Sequence, residues 1–209
     1  MIETIASIIT AVATLGMVVV GGIALYTWKK EFIGKKKIEL AAEIMETACD
    51  IQDLLIGARL DIYSPIELQE VADWMQSEKI KDPHNTDIYT DRFHFFIPHR
   101  RLEAGQDKID RLLSFFNKAF LYWDKDIMKL ITELHGYTVQ IRQTAKALYY
   151  NEFPEKQHEL EDIIFRNNAD DSMTKRVNDI VEELRLNLEP LYKDRQTKWK
   201  KLKVGSKNV

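Results

Sequence analysis

The chain has one cysteine, Cys49, and no Asn-x-Ser/Thr sequon among its 209 residues. A single thiol excludes a disulfide framework and a cysteine-based zinc cluster, and with the missing sequon it fits a reducing compartment. Glycine and proline are also scarce, at eight and five. Asn-Gly and Asp-Gly pairs are absent and no clean period-2 run occurs, which argues against hairpins and sheets. Missing as well are H-E-x-x-H, a Walker A loop, G-x-G-x-x-G after a strand, and G-x-S-x-G, so zincin, P-loop, dinucleotide and serine-hydrolase chemistry have no motif to stand on. Neither sign of charge dominates. Beyond the lysine-rich segment described below, residues 38–209 carry 25 basic and 31 acidic groups, which does not describe a surface that coats nucleic acid.

Long apolar runs are rare, and the one present decides the organisation of the chain. Thr4 to Trp28 contains no formal charge, and Lys29, Lys30, Lys35, Lys36 and Lys37 follow it closely. A helix needs about 20 such residues to cross a hydrocarbon core of roughly 30 Å. The segment before the run lacks a basic n-region, the run is long for a signal peptide, and no small-x-small site precedes Tyr26 and Trp28, so an uncleaved anchor is expected. Lysines confined to its C-terminal flank place the N-terminus outside and the remainder in the cytoplasm. Phe93 to Trp123, the most aromatic region, is interrupted by charges throughout, so one span is expected.

Helical periodicity fills the remainder. Ile44, Ala48, Ile51, Leu55 and Ile62, with Leu40, Ala41 and Met45 beside them, predict a helix over about 36–60 that continues from the anchor, with Gly34 as its weak point. Ser64-Pro65-Ile66-Glu67 carries an N-cap, a proline at the first helical position and a glutamate placed to close a capping box. A short helix to about Met75 follows, then a surface loop over 76–86, an aromatic segment 88–97 and a break at Pro98. A helix from about Arg101 to Trp123 carries Ile109, Leu112, Leu113, Phe116, Phe120 and Trp123. The next, capped by Asp124 or Asp126, runs to about Tyr150 through Ile127, Leu130, Ile131, Leu134, Val139, Ile141 and Leu148. Glu155 to Arg166 forms a short helix. Asp170 or Asp171 caps a long final one with Val177, Ile180, Val181, Leu184 and Leu188, which Pro190 should kink or end. The expected fold is all-α: a membrane anchor over 1–30, a cytoplasmic domain of about five to seven helices over 31–192, and a basic tail over 193–209.

Within the anchor, Glu3, Ser7, Thr10 and Thr14 share one helical face, extended by Ala6, Ala13, Met17 and Gly21. Small and hydroxyl-bearing residues favour close helix–helix approach in lipid, so this face is a candidate assembly surface or, in a ring of copies, a lumen. The alternative is a lone anchor whose hydroxyls bond to their own helix. Lys29, Lys30, Lys35, Lys36 and Lys37 suit an anionic leaflet, each worth about 1 kcal/mol. The tail, with Lys193, Arg195, Lys198, Trp199 and Lys200, is either a second basic membrane-surface or RNA-contacting segment or a solvated terminus. No metal set and no small-molecule cofactor is indicated. Cys49 reads as a small core residue and His135 as a structural histidine.

The densest chemistry lies in Asp91-Arg92-Phe93-His94-Phe95-Phe96-Ile97-Pro98-His99-Arg100-Arg101. Its plain reading is a core-edge cluster in which the aromatic groups pack and the cations stay wet. Arg92 and His99, however, fit an R-x(6)-H spacing that resembles the catalytic motif of HEPN ribonucleases. That resemblance implies His99 as acid or base and Arg92 as the holder of the scissile phosphate. The single anchor, the helical domain and this motif together resemble small one-span accessory proteins encoded beside type VI-B CRISPR effectors, which implies assembly in the bacterial inner membrane, a CRISPR effector or RNA as partner, and a role in phage defence. Trp28-Lys29-Lys30-Glu31 through Gly34-Lys35-Lys36 to Leu40-Ala41 also resembles uncharacterised bacterial one-span proteins. The leading expectation is a self-associating, non-enzymatic membrane protein that forms a pore or depolarising assembly. A tethered ribonuclease and an anchored binding module are the alternatives.

Overall fold

A computed structural model describes the backbone of residues 2–77, 92–123, 125–165 and 171–205, and the side chains of 13–77, 92–123, 125–165 and 171–191. The loop expected over 76–86 therefore falls mostly outside the described residues, as do Asp124, Asp170 and the side chains of Glu3, Ser7, Thr10 and the basic tail. Every described regular element is helical: α1 (Ile2–Ala58), α2 (Pro65–Ser77), α3 (Phe96–Ala104), α4 (Gln106–Tyr122), α5 (Lys125–Tyr150), α6 (Gln157–Ile164) and α7 (Ser172–Gly205), with 3-10 turns at Phe93–Phe95 and Pro154–Lys156. The all-α expectation holds.

Helix α1 is continuous through Gly34 but lives in two environments. From Leu40 onward, Leu40, Ala41, Ile44, Met45, Ala48, Ile51, Leu55 and Ala58 are buried at three- and four-residue intervals, the stripe that lets a helix face a bundle core. Before it, residues 13–33 are exposed throughout. Leu15, Met17, Val18, Val20, Leu25 and Tyr26 all retain at least two thirds of their accessible surface. Among the described residues, no helix is long and apolar enough to cross a membrane. From Ala13, where the described side chains begin, the uncharged run to Trp28 covers about 24 Å of helix axis, short of a hydrocarbon core of roughly 30 Å.

Two partners of α1, α7 and α4, run antiparallel to it. Gln52 donates to Asn178 at 2.7 Å and Arg59 pairs with Asp171 at 2.8 Å, which sets α7 against α1. Helix α4 is fixed by Lys108–Asp50, Arg111–Glu46 and the Lys37 ammonium 5.4 Å from the Trp123 ring. The α3–α4 elbow at Gly105 lies so close to α1 that a Cβ there would sit 2.5 Å from Leu54 Cδ2. The expected single helix from Arg101 to Trp123 is two, broken at Gly105, where a side chain would enter only if Leu54 moved aside.

That break also sets the phase of α4. Ile109, Leu112, Phe115 and Ala119 are buried, while Leu113 and Phe120, expected in the core, are 40% and 61% exposed. Small Ala119 and the Phe115 ring fill the space nearest α1 instead. Ile62 is likewise exposed, at 78%, because α1 ends at Ala58 and the chain turns before reaching it. Pro98 does not break the chain: it sits in the first turn of α3, where its missing N–H had no helical acceptor. Pro190 lies inside α7. It is exposed, so the Leu186 carbonyl that it leaves without a helical donor can turn to water. A second small cluster, Val71, Ala72, Met75, Phe93, Phe96, Ile97 and Tyr149, seats α2 on α3 and α5.

Candidate functional site

Arg92 opens the 3-10 turn that precedes α3, and His99 lies on α3 itself. The rings around them are fixed by packing: His99 is 5.4 Å from Trp74 and 5.7 Å from Phe96, and Phe96 meets Tyr149 at 4.7 Å. Arg100 stays at the surface, over the Trp74 ring and paired with Glu103. The aromatic groups form the core-edge cluster anticipated from the segment, but its cations do not all stay wet: Arg101 is only 19% exposed. Yet three buried atoms here, Arg92 Nη1, His99 Nδ1 and Arg142 Nε, have no hydrogen-bond partner among the described residues, and such atoms call for an explanation.

Burial pushes the His99 imidazole down to about 4, helped by the Lys146 and Arg142 charges on α5 and opposed by Glu103 and a backbone hydrogen bond at Arg142. Arg92 is not among the groups that act on it, and no hydrogen bond or ring contact joins Arg92 to His99 among the described residues. A histidine with that pKa is protonated in roughly one molecule in a thousand at pH 7, which leaves it a poor general acid. His135 is also lowered, by burial and then by Arg142.

The sign of the pH effect follows directly. A histidine held neutral in the fold but free to protonate once unfolded binds fewer protons in the native state, so stability falls as pH drops from about 6.5 to about 4. Asp171 and Glu133 act lower on the scale. Glu133 is lowered by the Arg176 hydrogen bond, and Asp171 is lowered by Thr174 and Arg59 although its burial works the other way. The expected result is a urea midpoint that declines between pH 7 and pH 5 in the parent chain and declines less in His99→Phe. Equal declines in the two chains would remove His99 from the account.

The basic segment divides into two parts. Lys29 and Lys30 are exposed on the projecting part of α1. Lys35 and Lys36 face Glu39 at 3.9 and 3.1 Å, and Lys37 covers Trp123. Thr14, the described member of the predicted hydroxyl face, is exposed on the same projecting part. Gly16, Gly21 and Gly22 have open space around them. Cys49 is half-buried against the core.

The strongest polar features were not visible as motifs. Arg59 is buried at 1% exposure and donates to the carbonyls of Ile163, Asp162 and Phe165, to Asp171 and to Thr174. Asp171 in turn caps α7 through the backbone N–H groups of Met173 and Thr174 and accepts from the Thr174 hydroxyl. Arg101 holds Glu67 with two hydrogen bonds and donates to the carbonyls of Gly57, Ala58, Leu60 and Ile62. Ser64 caps α2 as predicted, but the Glu67 carboxylate goes to Arg101 instead of closing a capping box. Arg176 grips Glu133 and reaches Glu183 beside an open, polar cleft of about 240 Å³ that Asp126, Lys129 and Asn187 also line. These are clasps between helices, and no group of metal-ligating side chains occurs among the described residues.

Comparison of the chain with protein-family models, curated proteins and solved structures gives no match. The functional reading therefore rests on its own residues.

Proposed function

We propose that the chain is a membrane-anchored, self-associating helical protein in which α1 serves both as anchor and as assembly element. The observation that carries this reading is the division of α1: one unbroken helix whose second half is buried in the bundle and whose first half projects with its apolar side chains bare. In the sequence the uncharged run reaches back to Thr4, 25 residues in all, and lysines suited to the cytoplasmic leaflet follow it. An exposed apolar surface of this extent is costly in water, and lipid or further copies of the same helix remove that cost. Glu3, Ser7, Thr10 and Thr14 supply the polar stripe along which copies meet. In this reading the assembled helices form a pore or depolarising unit in the bacterial inner membrane, with the bundle in the cytoplasm. A place beside an RNA-targeting CRISPR effector in phage defence belongs to the same proposal and rests on the architectural resemblance alone.

Two measurements test it. Full-length chain mixed with anionic vesicles is expected to stay with the lipid through alkaline carbonate washing and to release an entrapped dye. A variant with residues 4–28 replaced by a uniform leucine helix should still be retained but no longer release dye. Full leakage from the leucine variant would reduce α1 to a tether. A chain that washes off the vesicles would end the membrane reading.

A second reading, a tethered HEPN-like ribonuclease, draws on the unpartnered buried atoms of Arg92 and His99. Its test is RNA cleavage by the purified chain. The lack of a hydrogen-bond partner for Arg92 Nη1 and His99 Nδ1 among the described residues and the neutral state of His99 lead us to expect no cleavage above that of a double variant, Arg92→Ala with His99→Ala. Activity lost in that variant would reverse the preference.

A further inference from the structure

Helix α4 descends α1 from Leu54 to Lys37 in a register fixed at four places, and it ends there, where α1 passes from buried to bare. Its last turn presents Phe120 at 61% and Leu121 at 77% exposure, two large apolar side chains where the sequence pattern had called for a core residue. They do not stand alone. Tyr122 and Trp123 follow, Lys118 and the exposed Lys125 and Asp126 flank them, and the Lys37 ammonium lies over the Trp123 ring. On α1 itself, Trp28 stacks on Phe32 at 5.6 Å between ring centres. Aromatic groups beside lysines are the composition of a membrane–water boundary.

We infer that the α4–α5 elbow is a second membrane contact: Phe120 and Leu121 enter the interfacial layer of an anionic bilayer and set the bundle leaning on the membrane. This inference rests on the anchoring proposed above for α1. The geometry limits how it can happen. Lys37 lies nine residues beyond Trp28, about 13 Å along the helix axis, and packed helices stand about 9 Å apart. An upright α1 would hold the elbow above an interfacial layer about 5–7 Å deep. A lean of about 30° toward α4, inside the range found for spanning helices, brings the elbow to about 7 Å from the level of Trp28. Position favours a bilayer as the occupant over a second copy of the chain, because the apolar pair stands at the end of α4 where α1 turns bare and so is continuous with the lipid proposed around that half of α1.

The test places a thiol-reactive, environment-sensitive dye at Leu121→Cys, and separately at Ile62→Cys at the far end of the bundle, each in a full-length Cys49→Ala background. The probe is a vesicle of phosphatidylglycerol and phosphatidylcholine carrying nitroxide-labelled headgroups. The expected result is loss of most emission from the dye at 121 and little from the dye at 62. If the dye at 121 keeps its emission while the chain resists carbonate extraction, the elbow does not dock, although the anchor stands. Quenching at both positions equally would also overturn the inference, since the bundle would then have no preferred side. So would a dye at 121 shielded from aqueous iodide but untouched by the nitroxide lipid, because a second copy would then be the cover. A chain that leaves the vesicles on carbonate washing defeats the anchoring first and this inference with it.

Discussion

Replacing Arg59 by methionine is expected to lower the stability of the bundle by about 3–5 kcal/mol, the usual consequence of removing one partner of a buried ion pair. Methionine fills a similar volume, so the loss is electrostatic. It strands the carbonyls of Ile163, Asp162 and Phe165 and leaves the nearly buried Asp171 carboxylate without its cation. In a chain of this size such a change lowers the melting temperature by roughly 10 °C. Arg59→Lys should recover little, because one ammonium cannot serve acceptors on α6, the turn after it and α7 in the plane that the guanidinium spans. Thermal melts and urea titrations of the three chains check this. A loss below about 1 kcal/mol in Arg59→Met would mean that the clasp between α1, α6 and α7 is not what holds them.

Arg101→Ala should produce the next largest effect, about 2–3 kcal/mol. The side chain is only 19% exposed and Glu67 27%, and a bidentate pair at such a site is stronger than a surface one. Arg101 also serves carbonyls at and just beyond the end of α1, which have no helical donors of their own. Glu67→Gln keeps the Ser64 cap and part of the hydrogen bonding, so it should cost about 1 kcal/mol, and the double variant should cost less than the two single losses together. Amide hydrogen exchange supplies an independent readout. Residues 60–67 should exchange faster in Arg101→Ala, and unchanged protection there would contradict the assigned role.

Periodicity made the all-α architecture legible because it depends on local spacing alone. The buried positions of α7 follow that spacing, and so does the stripe of α1 as far as Leu55, with Ile62 beyond the end of the helix as the exception. Boundaries and phase were less legible wherever two segments meet. Gly105 looks like a tolerated helical glycine until Leu54, far away in sequence, is placed against it. Once α4 starts at Gln106, Phe115 and Ala119 take the inner positions and Phe120 turns outward, although Phe116 and Phe120 would make an equally regular stripe. The clasps at Arg59 and Arg101 were illegible for the same reason. Their partners are carbonyls and carboxylates brought near by folding, and a lone arginine after a helix carries no sign of its acceptors. The R-x(6)-H spacing was visible, but a spacing says nothing of burial, and it is folding that sets His99 against Trp74 and Phe96. Ser64 and Asp171 were readable as caps because a cap acts within three residues of its own position.

The central claim is that α1 carries copies of this chain into an assembly. Its most direct test is the mass of the full chain in a mild detergent, followed over a wide range of protein concentration. The account predicts a defined multimer that persists on dilution and falls to monomer when Ser7, Thr10 and Thr14 are all replaced by leucine, with the helical content unchanged. A strict monomer at every concentration, or a multimer that the triple replacement leaves intact, would contradict it.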